Sequence, residues 1–335
     1  MEQFSQRSNV KLPVLLQGLM LQQQNPFNAT TNPTGIINGG VAENTLALKY
    51  LVPHFNTIEI QENHFKYGEL QGTSELRDLI ADLFNRHLDT QLKGNQLSLH
   101  NGCGSTIENL IFNMCDEGDE ILIPKPFYGG FEMDVQFRMH AKVVAVKTLD
   151  FRITLALLEE TIQTCKSPKA LILCNPDNPT GLCRTKDEML IAIQFCKKYN
   201  IHLISDEIYA LTAYNSFQSI FHPDYLSLID LKKTHLVWSF SKDFCMNGIR
   251  VGVYASYNKS YVLQMQNTCY FSSISRFADV LLQQFLAKPK QVDLFLKNNK
   301  ESCLNMLNKM IDFCKLYDIS YIEPNGGFFL YINLL

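Results

Sequence analysis

This sequence predicts an α/β fold: a mostly parallel sheet in a large domain sandwiched by helices, joined to a smaller α+β domain. Three observations carry that expectation. Short apolar runs rich in branched residues recur at Glu120–Ile123, Lys142–Val146, Ala170–Cys174, Ile201–Ile204, His235–Trp238 and Arg250–Tyr254, as in strands buried on both faces. Helical patterns such as Lys186–Lys198 lie between most of them, and strands that alternate with helices imply parallel neighbours covered on both sides. A chain of 335 residues is too long for one small core and fits one large domain with a smaller companion.

Composition narrows the function classes. A net charge of -3 without a basic stripe argues against nucleic acid as a partner. The ten cysteines are scattered without metal-ligand spacing, and several fall in apolar runs, so they read as reduced core residues. His54, His64, His87 and His222 have no partner spacing that suggests a metal, and no metal site is expected. Met1 to Leu12 is polar, unlike a signal peptide, and no apolar run is long enough to span a bilayer; a cytoplasmic location without membrane contact follows as the expectation.

The chemistry concentrates in a few turns at predicted strand ends. Lys242 lies in Ser239-Phe240-Ser241-Lys242-Asp243-Phe244, eight residues before Arg250, so one amine and several anion-binding donors can face the same point. A pyridoxal 5'-phosphate (PLP) site needs that pairing of amine and phosphate donors. Asp206 and Tyr209, three apart after the run Ile201–Ile204, place a carboxylate to hold a pyridine nitrogen protonated and a phenol to reach the ring oxygen. Asn175-Pro176-Asp177-Asn178-Pro179-Thr180-Gly181 forms a turn suited to aiming the Asn178 amide at that same oxygen. Asn101-Gly102-Cys103-Gly104-Ser105-Thr106 precedes the helical pattern Ile107–Met114, so its glycines and the helix N-terminus can receive an anion. Lys242 alone would read as a solvated surface charge; the ordered set distinguishes it. No Gly-x-x-x-x-Gly-Lys-Ser/Thr loop accompanies Asp206-Glu207, and Gly102-Cys103-Gly104 lacks the third glycine of a dinucleotide fingerprint.

The chain resembles the class I/II aminotransferases of PLP fold type I, and within them is most similar to 1-aminocyclopropane-1-carboxylate (ACC) synthase and the ACC synthase-like proteins. The resemblance rests on Asn32–Ile37, Val41-Ala42-Glu43-Asn44, Asn101-Gly102-Cys103, Pro126–Phe131 and Ser241–Arg250, and runs from about residue 30 to the end. It implies that Lys242 is the Schiff-base lysine and the base for the substrate's α-proton, that Asp206 pairs with the pyridinium nitrogen, and that Asn178 and Tyr209 hydrogen-bond the ring oxygen. Gly104, Ser105, Ser239, Ser241 and Arg250 would bind the phosphate, and Tyr128 would stack on the ring. Tyr67 matches a tyrosine that reaches a phosphate across a dimer interface, so a homodimer is implied. Glu43 matches a glutamate near the far end of the substrate.

The same resemblance divides the chain into an N-terminal arm and part of the small domain (1–50), a large PLP-binding domain (51–285) and the start of an incomplete small domain (286–335). It implies an arginine for the substrate's α-carboxylate beyond Leu335; the last arginine here is Arg276, and lysines such as Lys300 and Lys309 substitute poorly at a bidentate carboxylate site. The expected activity is transamination of an amino acid, with ACC synthase-type elimination second. The alternative is a non-catalytic or fragmentary PLP-binding relative.

Overall fold

The computed structural model describes residues 14–214 and 217–334. Seven strands, β1 (Leu97–His100), β2 (Glu120–Pro124), β3 (Lys142–Val146), β4 (Pro168–Cys174), β5 (His202–Asp206), β6 (Thr234–Ser239) and β7 (Gly252–Ala255), form one sheet in the order β1-β7-β6-β5-β4-β2-β3. Strands β3, β2, β4, β5 and β6 run parallel, and β7 lies antiparallel to both β6 and β1. The expected α/β class with a mostly parallel sheet is therefore what the chain adopts. A separate two-stranded ribbon pairs β8 (Ser320–Ile322) with β9 (Tyr331–Asn333).

Twelve helices accompany the strands among the described residues: α1 (Val14–Gln24), α2 (Leu48–Phe55), α3 (Ser74–His87), α4 (Cys103–Met114), α5 (Gly130–Gln136) and α6 (Leu155–Ile162) in the first half. The second half adds α7 (Lys186–Tyr199), α8 (Pro223–Leu226), α9 (Phe240–Asp243), α10 (Lys259–Thr268), α11 (Arg276–Leu286) and α12 (Pro289–Leu316).

Side chains alternate across a strand, and both faces of this sheet are covered, which explains the continuous apolar runs. Leu122, Leu171, Leu173, Leu203, Leu236, Trp238 and Val253 join α3, α7, α11 and α12 in one core. Their neighbours Ile121, Ile123, Ala170, Ile172, Ile204, Val237 and Tyr254 pack with α4, α5 and α10 in the other. Each fully buried side chain of this size contributes roughly 1.5–3 kcal/mol. Because Ile204 points to the α4 side, Asp206 two residues later points there too, and this parity aims the carboxylate at the helix that begins at Cys103.

Three details differ from the sequence reading. Strand β1 was not among the expected runs, because four residues of Leu-Ser-Leu-His carry little pattern of their own. Helix α4 starts at Cys103 and not at Ile107, which places Gly104 and Ser105 inside its first turn. Strand β7 starts at Gly252, since Arg250 adopts a left-handed backbone with φ of 58° and cannot belong to a strand. All ten cysteines are free, seven of them buried. The polar segment Met1 to Leu12 lies outside the described residues. Among the described residues no helix is long and apolar enough to cross a membrane.

Candidate active site

The expected residues converge at the carboxyl ends of the central parallel strands, where open α/β sheets place their ligand crevice. Asp206 ends β5, Asn178 follows β4 and Lys242 follows β6 on the short helix α9. The turn carrying Asn178 is braced from below. Arg184 pairs with Asp177 at 2.6 Å and with Glu188 at 3.4 Å, all buried, while the Asn175 Oδ1 accepts from the Arg184 amide at 2.9 Å. The Asn178 side chain hydrogen-bonds the Tyr209 hydroxyl, joining the two groups expected at one ring oxygen.

Asp206 is buried, and the Ile208 amide donates to its Oδ1 at 3.2 Å. Burial pushes its carboxyl up to about 7, since a charge removed from water without a cation beside it is costly. Burial lowers the Lys242 amine below its ordinary value; the neighbouring Cys103 thiol and Glu43 carboxylate oppose that and Arg250 reinforces it. Its Nζ donates to the Ala42 carbonyl at 2.5 Å. Tyr128 stands edge-on to Phe131, with ring centroids 5.6 Å apart, and 39% of its surface is exposed. Burial together with Asp134, Cys103 and Asp206 pushes its phenol up to about 12.

An anion cradle adjoins these groups. Gly102, the residue capping α4 just before Cys103, supplies no side-chain cap, so the first amides of the helix remain available. The Ser239 hydroxyl lies 2.8 Å from that of Ser241 and accepts from the Ser241 amide at 3.1 Å. Ser105 donates to the Asn101 carbonyl at 3.0 Å. Arg250 donates from Nη1 to the Asn247 carbonyl at 2.9 Å, and among the described residues no carboxylate pairs with it. Gly102 has φ of 93°, and a Cβ there would stand 2.1 Å from the Arg250 Nη2. The cradle thus has amides, hydroxyls and a guanidinium for a phosphate, while the buried Asp206 lacks the cation that a protonated ring nitrogen would supply. The residues fit PLP on both counts.

One expected residue stands apart, and another is exposed beside Lys242. Tyr67 is fully exposed at 104% and lies with Phe65, Arg276 and Phe277 along another surface cleft, away from Lys242. Glu43 is exposed but close enough to Lys242 to affect its charge. The structure also gathers groups the sequence reading did not assign. Cys103 is buried among Asp206, Asp134 and Lys242, and burial holds its thiol well above its ordinary value. Asp134 on α5 faces Gly104, and burial with Asp206 and Glu108 nearby pushes its carboxyl up to about 7. Position six residues after Tyr128 was the only sequence signal for it. Among the described residues no cluster of three or more His, Cys, Asp or Glu side chains could hold a metal.

Residues 40–334 match the family model for aminotransferase class I and II. The chain belongs to this family. Its members are PLP-dependent, so the cofactor is pyridoxal 5'-phosphate. The chain is 31% identical to 1-aminocyclopropane-1-carboxylate synthase 4 of Arabidopsis thaliana, over 93% of this chain and 72% of that one. It is 28% identical to the human probable inactive 1-aminocyclopropane-1-carboxylate synthase-like protein 2, over 93% of this chain and 58% of that relative's length. A double mutant of aspartate aminotransferase from Thermus thermophilus shares the fold, with a TM-score of 0.78 over 99% of this chain and 85% of that one at 20% identity.

The crowding at Gly102 yields a direct expectation. Gly102→Ala should cost about 1–3 kcal/mol of backbone strain, since its φ of 93° and ψ of 166° suit only glycine, and displace the Arg250 guanidinium. PLP affinity should fall about tenfold or more in a binding titration, beyond any change in melting temperature. Equal affinity would show that Arg250 does not help hold the phosphate.

Proposed function

We propose that this class I/II aminotransferase family member is a PLP-dependent enzyme acting on a small amino acid substrate, with transamination as its reaction. The observation that carries this reading is the buried Asp206 carboxylate, poor in partners, on the same crevice as a lysine whose amine burial renders less basic. Gly104, Ser105, Ser239, Ser241 and Arg250 would hold the phosphate. Asn178 and Tyr209 would hold the ring oxygen, and Tyr128 one ring face. When bound, PLP supplies an electron-withdrawing ring that stabilises charge at the substrate's α-carbon. Asp206 would keep positive charge on the ring nitrogen by offering its carboxylate there. Lys242 would be the covalent attachment point and would take up the α-proton on Nζ; a depressed amine pKa leaves more of it neutral and able to accept that proton. Glu43 would face the far end of the substrate.

Elimination of the ACC synthase type is the second reading, favoured by the 31% identity to the Arabidopsis synthase. A non-catalytic PLP-binding relative is the third, favoured by the word inactive in the human relative's name. Incubating the loaded chain with an amino-acid panel and S-adenosylmethionine in deuterated water separates them. The proposal expects deuterium at the α-carbon together with a keto acid; an ACC product would favour elimination, and no exchange with any substrate would leave the non-catalytic reading.

We read residues 51–285 as the cofactor-bearing domain, with residues 1–50 and 286–335 contributing to the smaller one, in a cytoplasmic homodimer. Exposed Tyr67, Phe65 (73%) and Phe277 (43%), which share one cleft, support a second copy covering this face. If Tyr67 serves the partner's phosphate, Tyr67→Phe weakens PLP binding about tenfold or more, the scale of one lost charge-assisted hydrogen bond. Separating monomer and dimer by size and titrating each with PLP checks this; equal affinity in both would refute a shared site.

A further inference from the structure

The loop preceding α2 is tied to the lysine helix by a closed circuit of hydrogen bonds. Lys242 Nζ donates to the Ala42 carbonyl at 2.5 Å. Two residues on, the Asn44 Nδ2 donates to the Asn299 Oδ1 at 2.7 Å, and the Asn299 Nδ2 donates to the Asp243 carbonyl at 2.9 Å. Asp243 adjoins Lys242, completing the circuit, and its own Oδ2 is fixed by the Trp238 Nε1 at 2.7 Å and the Leu211 amide at 3.0 Å. Asn44 and Asn299 are both buried, and the Asn44 Oδ1 accepts from the Leu46 amide at 2.9 Å. Three segments far apart in sequence, 42–44, 242–243 and 299, therefore meet through two side-chain amides.

Chemistry restricts what could stand at these positions. Asn299 must accept from one partner and donate to another, which an amide does and neither a carboxylate nor an aliphatic chain can. A buried group left unpaired costs more than the bond it made, so loosening either amide favours release of the whole loop. Ala42, Glu43, Asn44 and Thr45 form one wall of a cavity of about 350 Å³, with Cys303 and Met306 of α12 among the residues lining it. The loop thus borders that cavity and also contacts the Lys242 amine.

We infer that Asn44 and Asn299 are positioning residues which clamp the Ala42–Glu43 loop over Lys242 and so govern access of small molecules to the crevice around its Nζ. The inference rests on the proposed role of Lys242. Release of the clamp frees Nζ from the Ala42 carbonyl and moves Glu43 away from the amine, while the residues assigned to the phosphate stay in place.

The test uses the full chain with Asn44→Asp, which keeps the acceptor for Leu46 and loses the donor to Asn299, and Asn299→Leu. Acetylation of Lys242 by a small anhydride, read by peptide mass spectrometry against an exposed lysine, is measured with backbone hydrogen exchange at residues 41–47. Asn44→Asp is expected to raise both by about tenfold, the population shift produced by one lost buried hydrogen bond, with exchange in β5 and β6 unchanged. In the loaded enzyme KM rises more than kcat falls. Should Asn299→Leu not fold, Asn44→Asp decides the matter from the loop side. Wild-type values for both labelling and exchange in Asn44→Asp would overturn the clamp. Failure of wild-type protein to attach PLP at Lys242 would instead overturn the site assignment, and the labelling and exchange results would still judge the clamp.

Discussion

Lys242→Ala is expected to abolish covalent attachment of PLP and to lower turnover of any amino acid by about 10³-fold or more, within the range ascribed to a positioned proton-transfer group together with lost attachment. The side chain makes one hydrogen bond, to the Ala42 carbonyl, and is only half-buried. Folding should therefore survive its removal. Borohydride reduction followed by peptide mapping checks the result: wild-type protein should gain one reduced PLP adduct on the peptide containing Lys242, and the variant none. An adduct of equal yield in Lys242→Ala would place the reacting amine elsewhere.

Asp206→Asn should leave PLP able to enter but cut α-proton exchange by about 10²-fold or more, because removing one member of a buried charge pair costs roughly 3–5 kcal/mol. The same residue predicts a pH effect on the protein before PLP is added. Its folded carboxyl is held up to about 7, above the unfolded value near 3.9. Below about pH 4 both states are protonated and the group contributes no difference. Between about pH 4 and 7 the unfolded chain has released a proton that the folded one retains, so stability falls as pH rises, and above 7 the loss is complete. For a shift of this size the loss is roughly 3–4 kcal/mol at most. Burial pushes Glu207 and Asp243 up to about 7 as well, so Asp206→Asn should remove one contribution among several. PLP should flatten the slope in the wild type more than in Asp206→Asn, because a ring-nitrogen cation lets Asp206 stay ionised. Melting curves at pH 5 and 8 with and without PLP read this, and an equal flattening in both proteins would argue against the Asp206 pairing.

The sheet and the residues proposed to hold the cofactor were legible for different reasons. Strands β2, β4, β5 and β6 announce themselves because both faces are covered, so Ile121, Leu122 and Ile123 are all apolar although they point alternately to two cores. Lys242, Asp206 and Asn178 were legible because each sits at or within four residues of the carboxyl end of a strand, and Arg250 because it just precedes β7, so order along the chain becomes nearness in space. What escaped depended on approach between distant segments. Asp134 is an acidic residue on a short helix, and only packing turns it toward Gly104 and Asp206. The pairing of Asn44 with Asn299 spans 255 positions and uses two residue types that are common on any surface. Gly102 was noticed as a glycine, but its need to be one arises from the Arg250 guanidinium lying against it.

A titration of the purified chain with PLP, followed in the visible region and then challenged with amino acids and S-adenosylmethionine, tests the central claim most directly. The account predicts saturable absorbance at one PLP per chain that disappears in Lys242→Ala, and a further spectral change with at least one substrate. A chain that binds no PLP, or whose bound PLP responds to none of these substrates, would contradict it.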